Sequence, residues 1–328
     1  VIFELITLQG WGKIRSKICL YRINLGSKPL DMKFGSVSNP EEIDFTLPKD
    51  HSGTASVLKK SDFKGKPAVY VGCAKWNRSD LKGFYPRGTK DELTYYATQF
   101  NSIELNATFY NFYNKEQYKG WADKTPDDFK FFPKINQMIS HMKRLNDVGH
   151  YTEEYVHALA GLEEKLGMVF LQLHNNFAPK NFDRLEKYLT EFPKGIPLAV
   201  EVRHTDWLND PEVADSFYKL LEENNVTNII TDTAGRRDLL HMRLTTPDIF
   251  IRYVGANHDS DYTRLDDWLE RIKSWVEIGG LRNIYFFVHQ NLEKASPLLS
   301  GYFIKKLNEE LGYDLHIPET QSTQTNLF

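Results

Sequence analysis

Cysteine is scarce in this chain. Its 328 residues hold two, Cys19 and Cys73. That is too few for a disulfide framework and lacks the paired spacing of a zinc site, so a reducing, cytoplasmic setting is expected. An excess of charge of one sign is also lacking: 41 Lys and Arg stand against 44 Asp and Glu, a formal net charge of -3. So balanced a chain is no non-specific nucleic-acid coat, and any such binding must come from a local patch. No apolar run approaches the ~20 residues of a membrane span, so no membrane partner is expected. A glycine-rich phosphate loop is missing too. The first β-rich run continues as "VGCAKWN", one glycine and then bulky residues, where a dinucleotide-binding sheet needs a tight glycine turn. No repeat or low-complexity block interrupts a composition of 41% hydrophobic and 26% charged residues, which fits a globular protein.

What is present is a rhythm. From Ala68 onward eight short β-rich runs recur: "AVYVGC", "SIELNATFY", "FKFFPKI", "MVFLQL", "PLAVEV", "TNIITD", "IFIRYVG" and "NIYFFVHQ". Amphipathic stretches separate them, among them Asp91–Phe100, Thr152–Leu166, Phe182–Phe192, Pro211–Asn224 and Leu265–Ile278, and Ala295–Leu311 follows the last. In "NDPEVADSFYKLLEENN", Asn209 or Asp210 can cap, Pro211 suits a first turn, and Val213, Phe217, Leu220 and Leu221 recur at helical spacing. Strand–helix alternation gives parallel strands with right-handed crossovers, and eight strands in about 240 residues match a (β/α)8 barrel. The expected fold class is therefore α/β, a TIM-type barrel over 68–312. An irregular N-terminal extension (1–67) and a short flexible tail (313–328) flank it. Within the extension Met32 reads as the natural start, with 1–31 upstream sequence.

The ends of the runs carry the chemistry. "AVEVRHTDWL" sends Glu201 and Arg203 to one face of a strand, since side chains two apart share a face. Buried charges of this kind suit the C-terminal rim of a parallel barrel, where inward positions form the floor of the active site. The second run has Glu104, Asn106 and Thr108 in phase. The third ends at Lys134, the fourth carries Gln172 and His174, the sixth Asp232, the seventh Arg252, and the eighth ends in His289, Gln290 and Asn291. Buried ion pairs also occur as pure architecture, but two Arg, one Lys and three acids at one end read together as a ligand site. Lys134, Arg203 and Arg252 suit an anion such as phosphate or carboxylate. Glu104, Glu201, Asp232 and His204 are the candidates for catalysis, with the two glutamates as acid and base. Asn106, Trp76, Tyr110 and Trp207 complete the substrate side as polar and stacking groups. These acids and histidines are permissible metal ligands, yet their spacing is not diagnostic and neighbouring Arg and Lys would compete with a cation. No metal and no cofactor are expected.

The blocks "VGCAKWNRSDLKGFYP", "LTYYATQFNSIELNATFY", "FKFFPKINQMISHMKRL", "AVEVRHTDW" and "YFFVHQN" resemble, in order, those of the YecE-like family, domain of unknown function 72. The resemblance spans roughly 68–311. It implies a TIM-type barrel loosely akin to the xylose-isomerase and endonuclease IV superfold, with no established reaction. The rim residues it implies are Trp76, Glu104, Asn106, Thr108, Phe109, Tyr110, Lys134, His141, Glu201, Arg203, His204, Trp207, Asp232 and Arg252. The chain departs from the family pattern at Cys73–Trp76, Arg252–Gly255 and His289–Asn291, which leaves the charged centre intact and changes the surroundings of a ligand. The end, "QTNLF", resembles the bacterial sliding-clamp peptide, with Gln324 for register and Leu327 and Phe328 as apolar anchors. Two functions are thus expected. One is an enzyme, hydrolase or isomerase, acting on a phosphate-bearing sugar, a nucleotide or a nucleic-acid end, in a DNA-repair setting if the tail serves a clamp. The other is a non-catalytic adaptor docked on the clamp through its tail.

Overall fold

The structure is a computed structural model and describes residues 35–320. The proposed start at Met32 and the clamp residues Gln324, Leu327 and Phe328 lie outside the described residues. The strands are β1 (Ala68–Cys73), β2 (Ser102–Leu105), β3 (Lys130–Pro133), β4 (Val169–Gln172), β5 (Leu198–Glu201), β6 (Thr227–Asn228), β7 (Ile230–Thr233), β8 (Asp248–Gly255) and β9 (Asn283–Gln290). The helices are α1 (Ser52–Lys60), α2 (Glu92–Gln99), α3 (Ala107–Tyr110), α4 (Lys115–Ala122), α5 (Gly149–Leu159), α6 (Phe182–Glu191), α7 (Asp206–Asn209), α8 (Pro211–Glu223), α9 (Ser260–Ile278) and α10 (Ser296–Leu311).

Local chemistry explains these bounds. Asp210 accepts from the amides of Glu212 and Val213 at the start of α8, with Pro211 in the first turn, as the sequence indicates. Asp91 caps α2 through the Thr94 amide. The second run is shorter than expected. It leaves the extended form at Asn106, because the Thr108 hydroxyl takes the carbonyls of Leu105 at 2.8 Å and Lys134 at 2.7 Å and turns the chain into α3. The sixth run divides into β6 and β7 at Ile229. The extension is not wholly irregular, since residues 52–60 form α1, with Thr54, Val57 and Leu58 buried.

All described strand pairs are parallel. Hydrogen-bonded ladders join them in three sheets: β1-β9-β8-β7, β2-β3 and β4-β5-β6. The Ile229 amide donates to Val200, so the 227–233 run passes its pairing from β5 to β8. Single bridges, Phe131 to Leu166 and Lys134 to Phe170, link β3 with β4. Between β1 and β2 no backbone ladder is found among the described residues, so the α/β fold with parallel sheets is established without a closed ring of ladders. There the Asn101 side chain stands in for a peptide group. Its Oδ1 accepts from the Val71 amide at 3.1 Å, and its Nδ2 donates to the Val69 carbonyl at 2.8 Å.

Two apolar cores follow. The larger lies between strands and helices, and includes Val71, Ile103, Val200, Ile230, Ile251 and Trp268. The smaller joins Phe132, Met168, Phe170, Ala199, Ile229, Phe250, Tyr285 and Phe287 on the other face of the strands. Strand alternation separates the two sets.

Candidate functional site

The smaller core sets up the polar site by register. Two residues beyond Phe132, Phe170, Ala199, Phe250 and Phe287, on the same face, stand Lys134, Gln172, Glu201, Arg252 and His289. A further step, two residues past the end of β5, adds Arg203. Each of these five runs thus contributes an apolar group and, two residues on toward its C-terminal end, a polar one.

Arg252 is the hub. Its Nε and Nη2 donate to the two Glu104 oxygens at 2.9 and 2.7 Å, and its Nη1 donates to Glu201 Oε2 at 2.6 Å. Such paired, charge-assisted bonds fix the guanidinium plane. Glu104 also accepts from Asn106 Nδ2 at 2.8 Å and from His289 Nε2 at 3.0 Å. Glu201 Oε1 accepts from the Thr231 hydroxyl at 2.8 Å and pairs with the Arg203 guanidinium. Above these pairs lies Gln172. Its single amide oxygen accepts from Lys134 Nζ at 3.0 Å, Arg203 Nη2 at 3.0 Å and Arg252 Nη1 at 3.2 Å. Lys134 Nζ also sits 4.3 Å from the centre of the Phe109 ring. Phe109 meets His141 at 4.8 Å, and His141 meets His174 at 5.1 Å.

The electrostatics follow from these contacts. Burial alone would raise the Glu104 carboxyl, but Arg252 and His289 hold it well below the usual carboxylate range. Burial opposes ionisation of Glu201 too, and Arg203, Arg252 and Lys134 bring it to about 2. Both glutamates are therefore ionised and engaged, rather than poised to exchange protons near neutrality. Lys134 moves the other way: burial, then Arg252 and Arg203, depress its ammonium to about 7. His141 falls to about 4 through burial and the nearby Lys134 and His174. Glu104 and Glu201 are 0% and 1% exposed, whereas Lys134, Arg203 and Arg252 are 8%, 6% and 6% exposed. A solute at this face meets the cations before the carboxylates.

A family model described as "Protein of unknown function DUF72" matches residues 70–323. The chain belongs to the DUF72 family. It is 25% identical over 279 residues to the UPF0759 protein YecE of Escherichia coli strain K12, covering 77% of this chain and 99% of that protein. To the UPF0759 protein YunF of Bacillus subtilis it is 27% identical over 244 residues, covering 69% and 80%. Among solved structures, a DUF72 family protein from Thermotoga maritima superposes with a TM-score of 0.61 at 26% identity, covering 74% of this chain and all of that one. One from Enterococcus faecalis gives 0.60 at 19% identity, covering 74% and 98%.

The other residues expected at the site fall elsewhere in this DUF72 chain. Asp232 is out of phase: Thr231 faces Glu201, so Asp232 points to the helices. There it pairs with Arg237 and with Arg264 at 3.0 Å, and accepts from Trp268 Nε1 at 2.7 Å. This buried ion cluster anchors β7 to α9 and has no contact with Glu104 or Glu201. Trp207 is fully buried, donates to the Phe177 carbonyl at 2.6 Å and packs on Phe177 and Phe217. It is core, not a stacking platform. Trp76 packs edge-on against Trp121. His204 accepts from the Asp206 amide and faces that carboxylate. Tyr110 is exposed, edge-on to Phe109. Gln172, Thr231 and His289 belong to the cluster although sequence reasoning gave them no role. Their signal was phase, two residues past an inward apolar group. No helix among the described residues is long and apolar enough to cross a membrane.

Proposed function

We propose that the charged face at the strand ends is the substrate site of an enzyme whose substrate bears phosphate or carboxylate, such as a sugar phosphate, a nucleotide or a nucleic-acid end. The observation that carries this reading is the convergence of Lys134, Arg203 and Arg252 on one neutral oxygen of Gln172, beside the carboxylates of Glu104 and Glu201. Three basic groups gathered at low exposure around a neutral oxygen favour an anion above them. In this reading the strands act as a TIM-type barrel whose last gap Asn101 closes, and the anion rests at the C-terminal rim, the usual place for chemistry in that architecture. Arg203 and Lys134 grip the anion, and Glu104 and Glu201 hold Arg252 and Arg203 in place. Lys134, titrating at about 7, is the group suited to take or give a proton in hydrolysis or isomerisation.

The test is a thermal-shift and calorimetric series with inorganic phosphate, ribose 5-phosphate and a nucleoside monophosphate. A ligand at a hundred times its Kd adds about 2.7 kcal/mol to stability. Wild type should gain stability with at least one of them, and Arg203→Gln should lose that gain with its fold retained. An unmoved wild-type curve across the series overturns the anion site.

A further inference from the structure

We propose that Lys134 is a nucleophile that captures the carbonyl carbon of an anionic aldehyde or ketone as an imine. This rests on the anion-site reading above and names its substrate class.

The pairing pattern singles out Lys134. Glu104 is taken by Arg252, His289 and Asn106, and Glu201 by Arg252, Arg203 and Thr231. Lys134 Nζ contacts neither carboxylate; its partners are the neutral Gln172 oxygen and the Phe109 ring. Facing it are Glu104 from β2, His141 from the 138–142 turn, Glu201 from β5, Arg203 just past it, and Arg252 from β8. Two guanidiniums sharing its acceptor oxygen, together with burial, disfavour the ammonium and leave much of the amine free at neutral pH. A desolvated lysine beside other cations is the recognised environment of an amine nucleophile.

The step needs no reagent beyond one proton from solvent. The Nζ lone pair bonds to the carbonyl carbon, the C=O π pair moves to oxygen, and a proton passes from nitrogen to that oxygen. The carbinolamine takes one proton from solvent on its hydroxyl and loses it as water, the nitrogen lone pair forms the C=N bond, and the nitrogen keeps its remaining proton as a protonated imine. Arg203 is placed to hold the substrate's anionic group, and the protonated imine restores a cation beside Gln172.

The experiment uses the full chain with glycolaldehyde phosphate and cyanoborohydride at pH 7, followed by peptide mass spectrometry. Lys134 should be alkylated about a hundredfold faster than surface lysines, whose ordinary pKa near 10.4 leaves them protonated. The rate should rise to half its maximum near pH 7, and excess inorganic phosphate should protect. Lys134→Arg keeps the charge and should lose the fast adduct while retaining its melting transition. If phosphate stabilises the protein but Lys134 reacts no faster than surface lysines, the imine is refuted and the anion site survives. If Lys134 reacts fast with glycolaldehyde and its phosphate alike, without phosphate protection, the nucleophile survives and the anionic substrate class is refuted.

Discussion

Lys134 shows how one side chain ties this site to the stability of the chain. Its ordinary pKa of 10.5 falls to about 7 in the folded protein, through burial and then Arg252 and Arg203. Between those values the unfolded chain binds the extra proton, so this residue makes stability rise with pH from about 7 toward 10.5. Its destabilising effect is full below pH 7 and absent above 10.5. Lys134→Met should therefore flatten that part of the profile and gain most at neutral or lower pH. Urea denaturation of both proteins at a series of pH values checks it, and parallel profiles would show that Lys134 keeps its proton throughout.

At the scale of the element, strand phase decides which charges meet. Asp232 and Glu201 both sit near strand ends, yet one faces helices and the other the polar cluster. Asp232→Asn should leave ligand binding intact and destabilise by about 3–5 kcal/mol, because the buried Arg264 loses a charged partner. Denaturation and phosphate titration of the same variant separate the two effects. The seam between β1 and β2 has its own signature. Asn101→Ala removes two bonds to the β1 backbone and should cost about 1–3 kcal/mol. Gly72→Ala should cost at least as much, as its Cβ would lie 2.2 Å from the Ser102 carbonyl oxygen, and a backbone cannot yield as a side chain tip does. Thermal unfolding of each variant measures both costs.

These elements also mark what could be read from the chain beforehand. The eight β-rich runs and the principal helices were legible because alternation and helical spacing are local signals. Glu201 and Arg203 were legible as a pair through their two-residue spacing. The seam was not, because Asn101 bonds side chain to backbone, and no periodicity records that. Asp232 stands at a strand end but out of phase with the cluster, and position at an end does not reveal phase. The same count, begun from Ile229, would have selected Thr231. Gln172 stands among the polar run ends but draws no role from the sequence, because a neutral amide carries no charge signal, and only three-dimensional convergence shows what it accepts.

At the scale of the molecule, the segments beside the strand–helix core are bound to it by specific contacts. Residues 43–50 run along α9. Arg237 donates to the Phe45 and Thr46 carbonyls, Trp275 Nε1 donates to Asp50 at 2.9 Å, and the Phe45 ring lies 4.4 Å from the Arg264 guanidinium. At the other end, Tyr313 donates to the Pro67 carbonyl and the Glu319 amide to Gln99, so this part of the expected tail is packed. Phe45→Ala should lower the urea midpoint by the equivalent of about 1–2 kcal/mol, the scale of a partly buried cation–π contact. Phosphate affinity should not change, since Arg264 belongs to the Asp232 cluster and not to the rim.

Gln172 gives the protein a dial. Glutamine and glutamate have nearly the same shape, and one atom separates an amide from a carboxylate. Gln172→Glu would hand Lys134, Arg203 and Arg252 a third negative charge in place, making the site its own counter-ion. Such a chain should melt higher than wild type, bind phosphate at least tenfold more weakly, and hold Lys134 protonated at neutral pH. Paired melting and phosphate titrations read both effects. On the anion-site proposal, the amide at 172 keeps the molecule unfinished, and melting of Gln172→Glu measures what that costs.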